Sequence, residues 1–310
     1  MSTLLKPRRV GVGDALAVIS PASTPQADRV EHGMVALVAL GYAPRLATHA
    51  MARGPLYFAG TPQARLEDLH QAFGDEEARA ILCTRGGYGS NYLLDSLDLE
   101  LIGQNPKPFL ASSDLTAVQL YLLDEAGLPA FYGPMLSADF SREGGVHGPS
   151  LRAAFEGRPY TVGSAEGMRA LNPGHARGTL YGGCLSILTA LLGTPYEPRT
   201  EGKLLFLEDV SAKPYQVDRM LWQLRQAGKL EGVRGIVFGE MLDCASPGAP
   251  ASLLEDAIAA SLEDFAGPVA FGLRCGHVST GHVTLTLGVE VELSVGPQTR
   301  LNLLEAAVSQ

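Results

Sequence analysis

The chain has 310 residues, enough for one large or two ordinary domains with a sizeable buried core. It is 46% hydrophobic and 18% charged, a globular composition, and its net charge of -9 argues against a nucleic-acid partner, since phosphate binding needs a basic face. Lys6-Pro7-Arg8-Arg9 is the one basic cluster. No stretch reaches the apolar length of a membrane span, and the opening MSTLLKPRRVGVGD lacks the apolar core of a secretory signal, so the expectation is a cytoplasmic protein with no membrane partner.

The first half alternates strand and helix. Ala15–Ser20 reads as a strand, Gln26–Leu40 as a helix closing at Gly41, and Pro44–Thr48 as a second strand. Thr61 caps a predicted helix to Phe73, apolar at Leu66, Leu69 and Phe73. Ala80–Thr84 is a predicted strand, Asn91–Leu97 a short helix, and Pro108–Ala111 and Leu128–Tyr132 two further strands. Alternation of this kind implies a parallel sheet, whose ligands bind at the C-terminal strand ends. Ser20-Pro21, Arg85-Gly86-Gly87-Tyr88-Gly89, Ser113 and Gly133-Pro134 all fall at such ends. Residues 140–178 turn rich in Gly, Pro and polar residues. The expected organisation is therefore an N-terminal α/β domain over 1–145, a linker over 146–178, and a C-terminal α/β domain over 179–310.

In the second half Gly182–Leu192 reads as a helix entered through Gly182-Gly183. Leu204–Leu207 reads as a strand ending at Glu208-Asp209, Val217–Gln226 as a helix, and Gly235–Gly239 and Val269–Gly272 as strands. VTLTLGVEVELSV, Val283–Val295, alternates apolar and polar residues and should form one or two antiparallel strands.

The segment KPFLASSDLTAVQLYLLDEAG, Lys107–Gly127, carries a strand, a tight turn and a helix apolar on most of its circumference. Ser113 at that turn has two readings: a helix cap, as Ser and Asp commonly are, or a nucleophile whose developing charge the helix N-terminus favours. A serine nucleophile needs a base and a group to orient that base. His32 and His70 lie on helix faces and read as solvated, while His49, His147 and His175 lie in loop or linker. His277 and His282, in CGHVSTGHVTLTLG, sit in a glycine-flanked loop that can position an imidazole. Glu208 or Asp209, ending an apolar strand, could orient it. The glycines of Arg85–Gly89 fit neither G-x-G-x-x-G nor a phosphate loop. They suit an oxyanion pocket or a simple tight turn. Scattered Cys83, Cys184, Cys244 and Cys275 suggest buried thiols, and no spacing suggests a metal site. No cofactor is expected.

Taken in order, GDALAVISPAS, YFAGTPQARLEDLHQAF, CTRGGYGSNYLLDSLD, SSDLTAVQLYL, YGPM, GTLYGGCLSIL, LLGTPY, LLFLEDV, YQVDRMLWQL and GHVSTGHVTLTLG resemble the LD-carboxypeptidase family of serine peptidases. That family includes muramoyltetrapeptide carboxypeptidases and microcin C immunity peptidases. The resemblance implies a Rossmann-like, amidotransferase-like first domain and a mixed C-terminal domain with antiparallel strands. It implies a Ser-His-Glu triad that falls on Ser113, His277 and Glu208, shared between the domains across a cleft. It places the oxyanion pocket at the N–H groups of Asp114 and of Gly86 or Gly87. Arg85 is a candidate clamp for a terminal carboxylate, or a structural ion-pair partner. Ala111-Ser112 stands where the family usually has Gly-Tyr, which sets a second hydroxyl beside Ser113. Thr286 stands where it usually has proline, and His282 rivals His277. The expected activity releases D-alanine from murein tetrapeptides in a cytoplasmic homodimer during peptidoglycan recycling. An immunity-type peptidase acting on aminoacyl-nucleotide conjugates is the nearest alternative, and a non-catalytic ligand-binding protein is an alternative of another class. Trp222, the sole tryptophan, reads as packing within its helix, which favours the peptidoglycan substrate.

Overall fold

In the computed structural model, which describes residues 4–245, 248, 250 and 252–309, the chain divides into two units. The first comprises Met1–Arg158, Thr280–Gly288 and Ala306–Gln310, and the second Pro159–Ser279 and Val289–Glu305.

The first unit follows the alternation in the sequence: β1 (Ala15–Ile19), α1 (Ala27–Ala39), β2 (Ala43–Leu46), α2 (Pro62–Gly74), β3 (Ala78–Cys83), α3 (Leu99–Gln104), β4 (Phe109–Ala111), α4 (Thr116–Ala126), β5 (Ala130–Tyr132) and α5 (Gly148–Glu156). Thr61 Oγ1 accepts the Ala64 N–H, and Pro62 opens α2 where no N–H is needed. Strands β1 to β5 pair in parallel, and β12 (Leu285–Leu287), from much later in the chain, adds antiparallel to β5, giving the order β12-β5-β4-β3-β1-β2.

Helix α4 carries almost no amphipathic bias because it is buried from Thr116 to Leu120 and again at Leu122 and Leu123. Each such Leu or Val contributes about 1.5–3 kcal/mol by leaving water. Buried Gln119 points its amide nitrogen at three strand carbonyls, Phe131 O at 2.9 Å, Ala111 O at 3.1 Å and Phe109 O at 3.4 Å. The helix is thereby tied to the ends of β4 and β5, where the Ser113 turn begins.

The second unit contains β6 (Tyr160–Gly163), β7 (Arg169–Asn172), β8 (Gly174–Cys184), α6 (Leu185–Ala190), β9 (Lys203–Glu208), α7 (Pro214–Gln226), β10 (Gly235–Gly239), α8 (Leu253–Ser261), β11 (Val269–Leu273), β13 (Glu290–Val295) and β14 (Arg300–Leu303). Its sheet runs β6-β14-β13-β8-β9-β10-β11-β7, parallel from β8 through β11 and antiparallel on either side. The fold is thus α/β, one sheet dominated by parallel strands and one mixed. No helix among the described residues is long and apolar enough to cross a membrane.

Three expectations change. The stretch 146–178 is not a connector: it holds α5, β6, β7 and the start of β8, and the units divide between Arg158 and Pro159. Its short strands pair with partners distant in sequence, such as β6 with β14, so no local pattern announces them. Gly182-Gly183 lies inside β8 and does not open a helix. A Cβ at Gly182 would stand 2.1 Å from Phe206 O, so its glycine allows close approach of β9. Val283–Val295 does form two strands, but β12 and β13 belong to different units.

Candidate active site

Ser113 follows the end of β4 after one intervening residue, Ser112, and has φ +62°, a left-handed conformation that costs a non-glycine residue on the order of 1–3 kcal/mol. Its backbone N–H donates to Tyr132 Oη at 3.0 Å, and its carbonyl accepts Thr116 Oγ1 at 2.6 Å, so both neighbouring strand and helix hold the strained turn. Ser112 is 2% exposed and Ser113 half-buried, which makes Ser113 the hydroxyl that a substrate can reach.

Neither residue of the Ser113-Asp114 pair serves as a helix cap. Helix α4 has no side-chain cap, and the Asp114 carboxylate instead accepts the Ser90 N–H at 2.9 Å. Ser90 Oγ donates back to the Asp114 carbonyl at 2.7 Å. Burial pushes the Asp114 carboxyl up, and hydrogen bonds from Ser90 and Gly89 oppose it. The turn and the glycine loop are thus stitched together. A methyl group at Gly86 would stand 2.9 Å from Ser113 Cβ, 3.0 Å from its Oγ and 3.1 Å from the Asp114 nitrogen. Only glycine lets this loop lie against the serine. Gly87 has φ +103°, and a side chain there would meet Ser23 Oγ at 2.4 Å; Ser23 Oγ accepts the Tyr88 N–H. Arg85 is half-buried beside Gly87, and its guanidinium forms no ion pair among the described residues. Gly86→Ala is expected to push Ser113 off position and lower kcat about 10²-fold, the scale of an ångström-sized misplacement, with a small loss in thermal stability. Steady-state kinetics beside a melting curve check this.

The second unit brings His277 and Glu208 together. One oxygen, Glu208 Oε2, accepts both the His277 backbone N–H at 2.9 Å and Nδ1 at 2.8 Å. That geometry makes Nδ1 the donor toward the carboxylate. Glu208 is fully buried, whereas the His277 side chain is 25% exposed. Two glycines make the room. A Cβ at Gly276 would stand 2.3 Å from Glu208 Cδ, and one at Gly239 2.7 Å from Glu208 Cβ. Gly276 also takes φ +92°.

The alternatives among the sequence candidates have other partners. Asp209 spends its carboxylate on the Ser186 N–H at the start of α6 and on Val210 N–H, both at 2.8 Å. His282 is fully buried in the first unit, its Nδ1 3.1 Å from Asp139 Oδ2. Burial would raise the Asp139 carboxyl, yet the His282 imidazole, the Met135 N–H and the Arg142 guanidinium together hold it below its usual range. His70 is half-buried, not solvated: its Nε2 accepts the Asp98 N–H, and burial lowers it. His49 Nδ1 lies 2.9 Å from Asp68, His147 caps α5, and His175 stands in β8 beside Glu292. All four cysteines are buried, and burial drives the Cys83 and Cys184 thiols well up. Trp222 departs from the expectation: it is 56% exposed on α7 and is not part of the core. Tyr57 and Phe58 lie far from the glycine loop in sequence, so no local signal joins them to Tyr88 and Tyr92, which they meet in the fold.

Residues 16–133 match the LD-carboxypeptidase N-terminal domain and residues 177–293 the LD-carboxypeptidase C-terminal domain. The chain belongs to the LD-carboxypeptidase family. It is 36% identical over 313 residues to a probable murein peptide carboxypeptidase of Bacillus subtilis, covering 98% of this chain and 96% of that one. It is 32% identical over 288 residues to a murein tetrapeptide carboxypeptidase of Pseudomonas aeruginosa, covering 86% and 87%. Among solved structures, an MccF-like protein from Bacillus anthracis superposes with a TM-score of 0.89 at 28% identity, over 96% of this chain and 99% of that one.

Proposed function

We propose that the protein is a serine LD-carboxypeptidase that releases terminal D-alanine from murein tetrapeptides. The observation that carries this reading is the pair in which buried Glu208 fixes His277 through both its backbone N–H and Nδ1. In this reading Ser113 Oγ attacks the amide carbonyl between the diamino acid and D-alanine, and His277 Nε2 takes the serine proton. The N–H groups of Asp114 and of Gly86 or Gly87 hold the oxyanion. His277 then protonates the leaving amine, D-alanine departs, and water attacks the acyl-enzyme by the same proton route. Glu208 stabilises the imidazolium. Arg85, whose guanidinium has no ion-pair partner among the described residues, clamps the terminal carboxylate of the substrate. No cofactor enters these steps. The reading extends to a cytoplasmic homodimer, which cell fractionation and light scattering would test.

Mass spectrometry of an L,D-linked murein tetrapeptide incubated with the purified protein tests the activity. The expected result is loss of one alanine; an unchanged mass at high enzyme concentration refutes it. The likeness to the MccF-like protein supports a second reading, hydrolysis of an aminoacyl-nucleotide conjugate by the same residues. Parallel incubation with an aminoacyl sulfamoyl adenosine separates the two.

A further inference from the structure

Four aromatic rings crowd around the glycine loop of the first unit. Tyr57 lies 4.7 Å from Phe58 and 5.8 Å from Tyr88, and Tyr92 lies 5.8 Å from Phe58 and 6.0 Å from Tyr88. These are centroid separations of genuine ring packing, and most of the pairs are edge-to-face. Yet the tyrosines are far from buried: Tyr57 is 50% exposed, Tyr88 39% and Tyr92 54%. The fold spends rigidity to hold these exposed rings. Phe58 sits on Gly89, where a Cβ would meet the ring at 2.6 Å. Under it lies Arg65, 1% exposed, its guanidinium carbon 5.1 Å from the Phe58 centroid. Arg65 Nη1 donates to Pro21 O at 2.8 Å and Gly89 O at 2.7 Å, while its Nε and Nη2 have no hydrogen-bond partner. A buried cation with incomplete hydrogen bonding is costly, and here it braces a surface.

We propose that Tyr57, Phe58, Tyr88 and Tyr92 form a saccharide subsite that takes the amino-sugar rings carrying a murein peptide. This inference rests on the carboxypeptidase reading and names the part of the substrate beyond the peptide.

Reach, chemistry and size support it. Tyr88 is two residues from Gly86, the residue packed on Ser113, so their Cα atoms lie within about 7.6 Å. An enzyme that removes one residue from a tetrapeptide leaves three on the acyl side, which extend about 10 Å before the sugar begins. The Tyr88 backbone lies inside that radius of Gly86, and the Tyr57 and Tyr92 rings continue the surface 5.8 and 6.0 Å beyond the Tyr88 ring, where the sugar would begin. A pyranose offers a face of C–H groups and a rim of hydroxyls; tyrosine offers a ring face and a phenol oxygen, with little side-chain freedom to lose on binding. Four partly exposed rings present at most a few hundred Å², since a whole aromatic side chain buries only about 150–250 Å². A stable protein partner needs on the order of 1,000 Å² or more in total, so the patch has the size for a disaccharide and is small for a second chain.

The test compares kcat/KM on a free tetrapeptide with that on the same tetrapeptide attached to its N-acetylglucosamine–N-acetylmuramic acid disaccharide. The wild type should prefer the glycosylated substrate about tenfold, the value of one or two good ring contacts. In the Tyr57→Ala/Tyr92→Ala double variant that ratio should fall toward one. A wild-type ratio near one, or a ratio unchanged in the variant, overturns the subsite. So does an unchanged ratio accompanied by an altered mass in light scattering, which would make the patch a self-association surface. If neither substrate is cleaved, the carboxypeptidase reading fails first. Calorimetry with Ser113→Ala protein then decides the subsite separately: tighter binding of the glycosylated peptide, lost in a triple variant with Tyr57→Ala and Tyr92→Ala, supports it, and equal binding of both ligands overturns it.

Discussion

Alanine at position 113 is expected to abolish release of D-alanine, lowering kcat by about 10⁴-fold or more, while the protein melts within a degree or two of the wild type. The reasoning is that alanine keeps every backbone bond that holds the turn. The Ser113 N–H to Tyr132 Oη and the Ser113 carbonyl from Thr116 Oγ1 are main-chain interactions at residue 113, and both survive the change. The left-handed φ of +62° is equally unfavourable for alanine, so no strain is gained or lost. Only the hydroxyl disappears. Ser113→Gly separates chemistry from strain: glycine adopts positive φ without penalty, so this variant should be equally inactive yet more stable by about 1 kcal/mol, offset in part by unfolded-state entropy. Mass spectrometry of the products and thermal melts of the three proteins check both statements. Activity within tenfold of wild type in Ser113→Ala would remove the serine from the chemistry. An inactive Ser113→Gly that melts lower than Ser113→Ala would show that the strain is not where the φ angle puts it.

Much of the first unit is readable from sequence because its information is local. Each strand and helix from β1 through β5, with the Thr61 cap and the apolar circumference of α4, is written within a dozen or so residues. The second unit is harder for the opposite reason. Strands β6 and β7 are four residues each and owe their existence to antiparallel partners far along the chain, so no window contains the pattern that makes them. Gly182-Gly183 misleads because glycine pairs punctuate helices more often than they permit a close strand approach. The site divides in the same way. Ser113 and the glycine loop are visible as a strand-end turn and a run of small residues. The His277–Glu208 pair spans 69 residues, and no spacing rule links them; only the family's ordered motifs do. Residue type alone does not separate Asp209 and His282 from them; the family's motifs point past both, and in the fold each spends its carboxylate or imidazole elsewhere.

Glu208→Gln is the substitution that separates orientation from charge. Both donors from His277, the backbone N–H and Nδ1, converge on the single oxygen Oε2. A glutamine amide oxygen can occupy that position and still accept both, so the imidazole keeps its orientation and the proton stays on Nδ1. The reverse placement, with the amide nitrogen facing two donors, is unfavourable and is rejected twice over. The site is glycine-walled at Gly276 and Gly239, so an amide of the same shape fits without new contacts. The loss is then electrostatic: the imidazolium formed when Ser113 gives up its proton has no buried anion beside it. A fall in kcat of about 10³-fold with KM little changed is expected, smaller than for Ser113→Ala, because a charge is missing while the base remains in place. Stability should hold or rise slightly, since a buried charge is replaced by a neutral group with the same accepting oxygen. Glu208→Ala should differ on both counts: the His277 N–H groups lose their acceptor in a buried space, a cavity opens, and the melting temperature drops together with activity. If Glu208→Gln instead lost as much activity as Ser113→Ala, the carboxylate would be doing more than stabilising a cation. If it lost none, Glu208 would be a structural anchor for the 275–279 loop, and His277 would draw no electrostatic support from it.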